Sequence, residues 1–585
     1  MFGPFAQYAR PYRRRIALGA LAITAAQAAS AAIPLRLRDA VDFLGQASPG
    51  GDLLAGIRAY VAGIVGLAGV VALGSYAMRR LLGTASTRVE YDIRTAYFAH
   101  LLSLPLSYYQ SHRTGDLMAR ATNDLNAVRI FFTYGMRGIV ETTLIFTFSI
   151  ALMLAIDWRL TLIVLVPLPL MSLFIIRMAA LVHTRFKAIQ EYFGQISNFI
   201  QENLSGIRVV KAYVQAAPQT AAFGELNEEY LERNRHLIRT RAVYRPLSFL
   251  IASLGLGLNL WLGGRAVVAG SISMGDFVAF NAYLTLLIRP ISYMGWVIDR
   301  FQRSLVAMRR INEVLDVAPE IADRAAARPA PEARPEGLMG EIELRDVTVR
   351  YGGRPALERV SLRLPAGSTL GITGRVGSGK TTLGRLVPRL IEASEGQVLI
   401  DGRPVEAWPL AELRRGIGYV SQMPFLFSDS VAANVAYGAP DASLAQVEEA
   451  MTQAQLLDEA TAFEGGLDTV VGERGVTLSG GQKQRATLAR AVLRQPRILV
   501  LDDTLSAVDT HTEEAVLAHL RQIMAGRTTL VVAQRISTLR HADHIIVLED
   551  GAIAEQGTHA QLIAGGGFYA GLHERQLLTA ELEAL

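Results

Sequence analysis

The sequence predicts a multidomain chain in which an all-α membrane domain of six spanning helices precedes an α/β domain built around a phosphate-binding loop. Three observations predict it. Apolar residues lie in long runs up to about residue 305, and beyond about residue 340 they alternate with charge. In the second half, a glycine-rich stretch ending in Lys380-Thr381 sits between a strand-like and a helix-like segment. With 51% hydrophobic and 19% charged residues, the chain is too apolar for disorder or for a nucleic-acid-binding array. Its 585 residues leave room for several domain-sized units.

About 20 apolar residues carry a helix across a bilayer. Six segments qualify, near residues 16–35, 57–78, 138–156, 160–178, 247–267 and 277–298. Arg10, Arg13, Arg14 and Arg15 precede the first, which reads as a retained helix rather than a cleaved signal because five more spans follow. A short acidic loop with Asp39, Asp42 and Asp52 joins the first two. Asp157-Trp158-Arg159 turns the third into the fourth, and a stretch around Gly270 joins the last two. The other two connections are far longer and hold most of the charge, including Arg79, Arg80, Arg88, Arg94, Arg113, Arg120 and Arg129.

Basic loops favour the cytoplasmic side. Both long connections, both termini and the second half are therefore expected there, in a multi-pass protein of the cytoplasmic membrane. The same bias accounts for the net charge of +5: basic residues gather on no single amphipathic face, so no nucleic-acid partner is expected. Heptad-like spacing over 189–204 and 221–238 predicts helices continuing past the membrane. They turn at tips near Thr114-Gly115-Asp116 and near Ala217-Pro218. Without cysteine, disulfides, thiol catalysis and Cys-ligated metals are excluded. The domain limits read as 1–318 for the membrane domain, an Ala/Pro/Arg/Glu linker over 319–340, and 341–585 for the nucleotide-binding domain.

Gly374-Arg375-Val376-Gly377-Ser378-Gly379-Lys380-Thr381 fits G-x-x-x-x-G-K-[ST], with Thr382 following. It lies after a strand pattern at 368–372 and opens a helix pattern at 381–390. Glycines let the loop curl so that backbone N–H groups meet phosphate oxygens. Lys380 then reaches the β- and γ-phosphates, and the Thr381 hydroxyl meets Mg²⁺. Lysine occurs elsewhere only at 187, 211 and 483, so its place in this motif is not an accident of abundance. ATP and Mg²⁺ are the expected cofactors. The apolar run 498–501 ends in Asp502 and Asp503. It points them to the carboxyl edge of a parallel sheet, with Asp502 on the Mg²⁺ side. Leu478 and Ser479-Gly480-Gly481-Gln482 precede a helix pattern at 483–492, placing a serine and two glycines where free N–H groups attract anions.

That pentapeptide, lying between phosphate loop and carboxylate strand, resembles the signature of the ATP-binding-cassette family. The six N-terminal crossings with two long extensions are similar to the exporter type. The resemblance covers nearly the whole chain and implies further roles. Tyr351 stacks on adenine, and Gln422 joins Thr381 and Asp502 at the metal and links the γ-phosphate region to the membrane domain. Glu473, within residues 472–475, contacts the partner's cytoplasmic helices. Asp509, within residues 506–509, crosses the dimer seam. Ser479, Gly480, Gly481 and Gln482 grip the ATP held by a partner chain. ATP binding closes the pair, hydrolysis reopens it, and the membrane cavity alternates from inward to outward facing.

Two positions depart from the family pattern. Asp503 stands where the family usually has glutamate, and Gln534 stands where it usually has histidine. Either Asp503 remains a slower base, or this chain carries a degenerate ATP site and works in a heterodimer whose partner supplies the missing groups. The expectation is one subunit of an ATP-driven exporter moving amphipathic drugs, lipids or peptides out across the cytoplasmic membrane. The alternatives are a homodimeric lipid flippase with slow hydrolysis and an ATP-gated channel or regulatory membrane subunit. Glu141 and Arg289, charged residues at membrane depth, either line the transport pathway or form a structural ion pair.

Overall fold

The computed structural model describes residues 7–46, 53–323, 337–472, 478–504 and 518–584. The chain divides into two compact units, Met1–Leu102 with Thr114–Val317 and Ser103–Arg113 with Ala318–Leu585.

The first unit is helical, as lipid requires of a chain whose every backbone polar group must be satisfied internally. Its long helices are α1 (Arg13–Gln46), α2 (Leu53–Ser103), α4 (Thr114–Ile156), α5 (Trp158–Ser205), α7 (Ala216–Val268) and α8 (Met274–Leu315), with the short α6 (Ile207–Ala212) between α5 and α7; the short α3 (Leu106–Ser111), between α2 and α4 in sequence, belongs to the second unit. Among the described residues, the first five long helices are long and apolar enough to cross a membrane. In α8 the apolar stretch is Met274–Ile288. Asp157 separates α4 from α5: its backbone is extended and its carboxylate accepts from the Leu160 N–H at 2.9 Å, an N-cap that restarts the helix. α7 packs along α5, and α8 packs on α1 and α4. The core around Met153, Val164, Met171, Phe280, Tyr283 and Leu287 is closed to solvent.

Both predicted tips are displaced. Thr114-Gly115-Asp116 opens α4, and the chain turns one short helix earlier: Pro105 N-caps α3 and extended His112 ends it. In the second, Gly206 ends α5, and the turn runs through α6 to Gln215. Pro218 falls in the first turn of α7, where its missing N–H breaks no helical bond.

The start of α8 is held by α1. Ser273 and Asp276 form a capping box, and Asp42 accepts from the Ser273 hydroxyl at 2.7 Å and the Gly275 N–H at 2.8 Å. A Cβ on Gly275 would stand 2.3 Å from the Arg38 carbonyl oxygen. Gly275→Ala therefore forces the helix ends apart and breaks charge-assisted bonds. The expected cost is about 2 kcal/mol or more, read as a lower unfolding midpoint of the solubilised protein; an unchanged midpoint contradicts this.

In the second unit, β1 (Ile342–Tyr351), β2 (Arg354–Leu364), β4 (Glu395–Ile400) and β5 (Arg403–Pro404) form an antiparallel sheet in the order β2-β1-β4-β5. A second sheet contains β3 (Thr369–Gly374), β6 (Ile417–Val420), β9 (Ile498–Asp502), β10 (Thr528–Val532), β11 (His544–Glu549) and β12 (Ala552–Gly557), in the order β12-β11-β3-β10-β9-β6. The short pair β7 (Asp429–Ser430) and β8 (Val470–Val471) stands apart.

Strand alternation splits the interior. Ile498 and Val500 face the core shared with the antiparallel sheet and α9 (Lys380–Leu386). Leu499 and Leu501 face the core under α10 (Leu444–Gln453) and α11 (Gly480–Val492). Because β3, β9 and β10 run parallel, with Val532 level with both Asp502 and Ile372, their carboxyl ends converge on one edge, the usual ligand edge of such sheets.

Candidate nucleotide site

At that edge β3 ends in Gly374 and the loop climbs into α9. Two glycines are required by close approach. A Cβ on Gly374 (φ +145°) would lie 2.1 Å from the Leu548 carbonyl oxygen, and one on Gly379 (φ +98°) would lie 2.3 Å from that of Ala356. Lys380 Nζ bridges the loop, donating to the carbonyls of Gly374 (2.8 Å) and Arg375 (2.6 Å). Burial lowers its pKa, and the carboxylates of Asp503 and Asp502 oppose that shift. Thr381 Oγ1 donates to Asp502 Oδ1 at 3.1 Å. Asp502 is 2% exposed, and burial is the main force holding its carboxyl above the usual range, against the Thr381 hydrogen bond.

A cavity of about 290 Å³ opens over this edge. Tyr351, Val376, Gly377, Gly379, Lys380, Thr381, Thr382, Gln422, Asp502, Asp503 and Gln534 line it, with Ala356, Val532 and Ala533. The structure thus brings together the predicted aromatic, the phosphate loop from Val376 onward except Ser378, the glutamine, both aspartates and Gln534; Gly374, Arg375 and Ser378 lie outside the cavity lining. Asp503 lies in the left-handed region (φ +52°), a conformation aspartate tolerates better than most residues. Its N–H donates to the Val532 carbonyl at 2.9 Å. Gln422 Nε2 donates to Asp503 Oδ2 at 3.3 Å, so the short carboxylate leans on the glutamine.

The donor set fits a magnesium nucleotide. Ser378 is buried at 4% exposure and its hydroxyl has no hydrogen-bond partner, leaving an unused donor inside the loop. Lys380 supplies positive charge, and Thr381 and Asp502 stand as adjacent hard oxygen ligands of the type Mg²⁺ takes. Bound there, Mg-ATP would supply a transferable γ-phosphoryl group. Lys380 and the loop N–H groups would hold its phosphates, and Thr381 and Asp502 would meet the metal.

Ser479–Gln482 do not line this cavity. Ser479 N-caps α11: its Oγ accepts from Gln482 N–H at 3.2 Å while Gln482 Oε1 accepts from Ser479 N–H at 2.9 Å. Gln482 Nε2 in turn donates to Glu459 at 2.9 Å. The serine–glycine edge is exposed at a helix N-terminus, available to a ligand from outside its own site. Glu473 and Asp509 lie outside the described residues, as does the side chain of Arg289, whose backbone is part of α8. Glu141 accepts from Arg137 Nε one turn earlier at 3.0 Å and from Gln27 Nε2 of α1 at 3.4 Å. Sequence reasoning missed Ala356, whose carbonyl presses on Gly379. It also missed Gln576, whose Nε2 donates to the carbonyl of Gln534 itself.

A helical membrane unit joined to a phosphate-loop unit with this donor set defines a nucleotide-binding membrane transporter. Residues 16–291 match the ABC transporter transmembrane region and residues 357–506 match the ABC transporter family; the chain belongs to the ABC transporter family. It is 36% identical to the probable multidrug resistance ABC transporter ATP-binding/permease protein YheI of Bacillus subtilis (strain 168), over 88% of this chain and 87% of that protein. It is equally 36% identical to the ATP-dependent lipid A-core flippase of Aromatoleum aromaticum, over 88% of this chain and 84% of that one. Among solved structures, a bacterial Atm1-family ABC exporter with ATP bound superposes with a TM-score of 0.77 at 27% identity, covering 96% of this chain and 98% of that chain. The architecture is that of an ABC exporter: a helical transmembrane domain followed by an α/β nucleotide-binding domain.

Proposed function

We propose that this chain is one half of an ATP-driven exporter that holds ATP at its own phosphate loop but cleaves it poorly, and that it lends Ser479–Gln482 to a different half-exporter with a competent site. The observation that carries the reading is the pairing of a short carboxylate, Asp503, with Gln534 around one cavity whose phosphate loop is otherwise complete. Gln534 can hydrogen-bond a phosphate but cannot take up or carry a proton near neutral pH. Gln422 Nε2 occupies Asp503 Oδ2 at 3.3 Å. We read the domain limits as 1–318, 319–340 and 341–585, with the termini and nucleotide domain cytoplasmic. The relatives named for multidrug resistance and for lipid A-core flipping support an amphipathic cargo, drug or lipid. The flippase likeness also keeps a homodimeric lipid flippase with slow hydrolysis as a second reading. The Arg137 and Gln27 contacts of Glu141 support its structural reading over a place in the transport pathway.

The test is ATP turnover and ATP binding by the purified full chain alone in lipid nanodiscs. The expected result is saturable ATP binding with turnover about 100-fold below that of a complex co-purified with a second half-exporter carrying glutamate and histidine at the two positions. Brisk turnover by the chain alone overturns the proposal.

A further inference from the structure

The segment that carries Gln534 leaves the sheet at Val532, where β10 ends. From there its backbone is held from two sides. On one, Ala533 N–H donates to the Ile372 carbonyl of β3 at 3.1 Å. On the other stands Gln576 of α12 (Phe568–Ala584), whose Nε2 donates to the Gln534 carbonyl at 2.8 Å and whose Oε1 accepts from the Ile536 N–H at 2.9 Å. One side-chain amide thus pairs with alternate residues as a neighbouring strand would, reading both a carbonyl and an N–H.

The arm that brings Gln576 there is seated at its base. Glu555 accepts from the Phe568 N–H at 2.5 Å and the Tyr569 N–H at 3.3 Å. Tyr569 is fully buried, and its hydroxyl meets His559 Nδ1 at 2.8 Å. Gln576 lies two turns further along this anchored helix. A groove of about 230 Å³ runs between Asp503 and Gln576, with Gln534, Arg535 and Thr538 along it. Asp503, Val532, Ala533 and Gln534 line both this groove and the nucleotide cavity, whereas Gln576 lines the groove alone and reaches the segment through its backbone.

We propose that Gln576 is a positioning residue for the nucleotide site: by clamping the backbone at Gln534 and Ile536 it keeps the side chain at 534 turned into the ATP cavity, which makes the C-terminal helix part of the switch. The proposal rests on the nucleotide-site reading above and not on whether that site is degenerate.

The test uses the full chain. In Gln576→Ala, exchange of the Ile536 amide accelerates at least about fivefold, the loss of a single hydrogen bond's protection, while amides of β3 and β10 keep their rates. Turnover is compared in the unaltered chain and in Asp503→Glu/Gln534→His, and Gln576→Ala lowers kcat about tenfold in whichever of them hydrolyses, with KM for ATP unchanged. Gln576→Glu separates the two bonds: its carboxylate still accepts from Ile536, yet faces the Gln534 carbonyl without a proton to donate. Near neutral pH its kcat accordingly falls as in Gln576→Ala, while the Ile536 amide keeps its exchange protection. Unchanged Ile536 exchange with unchanged kcat overturns the proposal. So does exchange that rises equally throughout β3 and β10, which marks general loosening, or a Gln576→Glu chain whose kcat equals that of the Gln576 chain. Brisk turnover by the unaltered chain overturns only the degenerate-site reading.

Discussion

Asp503→Glu combined with Gln534→His is expected to raise ATP turnover by the chain alone about 100-fold, with ATP affinity changed little. Glutamate adds one methylene and carries the carboxylate about 1–1.5 Å further, and a misplacement near 1 Å can cost on the order of 100-fold. The longer side chain also reaches past the Gln422 amide that holds Asp503 Oδ2 at 3.3 Å. Histidine restores a group that can exchange a proton near neutral pH. Against this stands the backbone at residue 503, whose φ of +52° costs a longer side chain about 1 kcal/mol. The gain in transition-state binding for 100-fold is about 2.7 kcal/mol, so the chemistry outweighs the strain. Phosphate release by the single and double variants measures it. A double variant that binds ATP and still turns over at the parent rate refutes the assignment of Asp503 and Gln534 as the limiting groups.

Gly379→Ala is expected to abolish ATP binding at this site. The new methyl would sit 2.3 Å from the Ala356 carbonyl oxygen and 2.7 Å from Leu357 Cδ2, at a φ of +98° that side chains rarely adopt. Conformational strain of about 1–2 kcal/mol adds to overpacking of about 1–3 kcal/mol. Relief requires the loop to move away from β2, carrying Lys380 and Thr381 with it. About 3 kcal/mol of reorganisation lowers affinity more than 100-fold. Gly377→Ala is the internal control: its φ is +86°, but the space around it is open. It pays the backbone strain alone, with a loss of about tenfold. Equal affinities for the two variants, measured by nucleotide titration, would refute the steric account.

The parts of the site legible in the sequence are those whose chemistry is local. The phosphate loop announces itself because glycine spacing and the Lys-Thr pair must lie within eight consecutive residues to wrap one phosphate chain. The buried run ending at Asp502 is legible because a strand covered on both faces has no room for polar residues until it reaches the sheet edge. The membrane helices are legible for the same kind of reason, since lipid leaves no alternative to continuous apolar helix. The tips of the long helices were less legible. Thr114-Gly115-Asp116 and Ala217-Pro218 have the composition of turns, yet a glycine or proline in the first turn of a helix costs little, so each opens a helix, and the breaks fell just before them, at Pro105 and His112 and at Gly206 and Gln215. Gln576 carried no signal at all: a lone glutamine on a mixed apolar and polar helix, 42 residues from the carbonyl it binds.

By itself, then, the order of residues determined the class of protein: a domain of long apolar helices, five of them among the described residues long enough to cross a membrane, followed by a domain with a phosphate loop. What only the tertiary structure decided is how the residues of the site are held. The Ala356 carbonyl makes Gly379 indispensable, Gln422 pulls on Asp503, and the C-terminal helix supports the segment of Gln534. The physical reason is that each of these contacts joins residues distant in sequence through a single hydrogen bond or a single close approach. Such contacts leave no periodic or compositional trace, and they exist only once strands and helices have brought the two ends together.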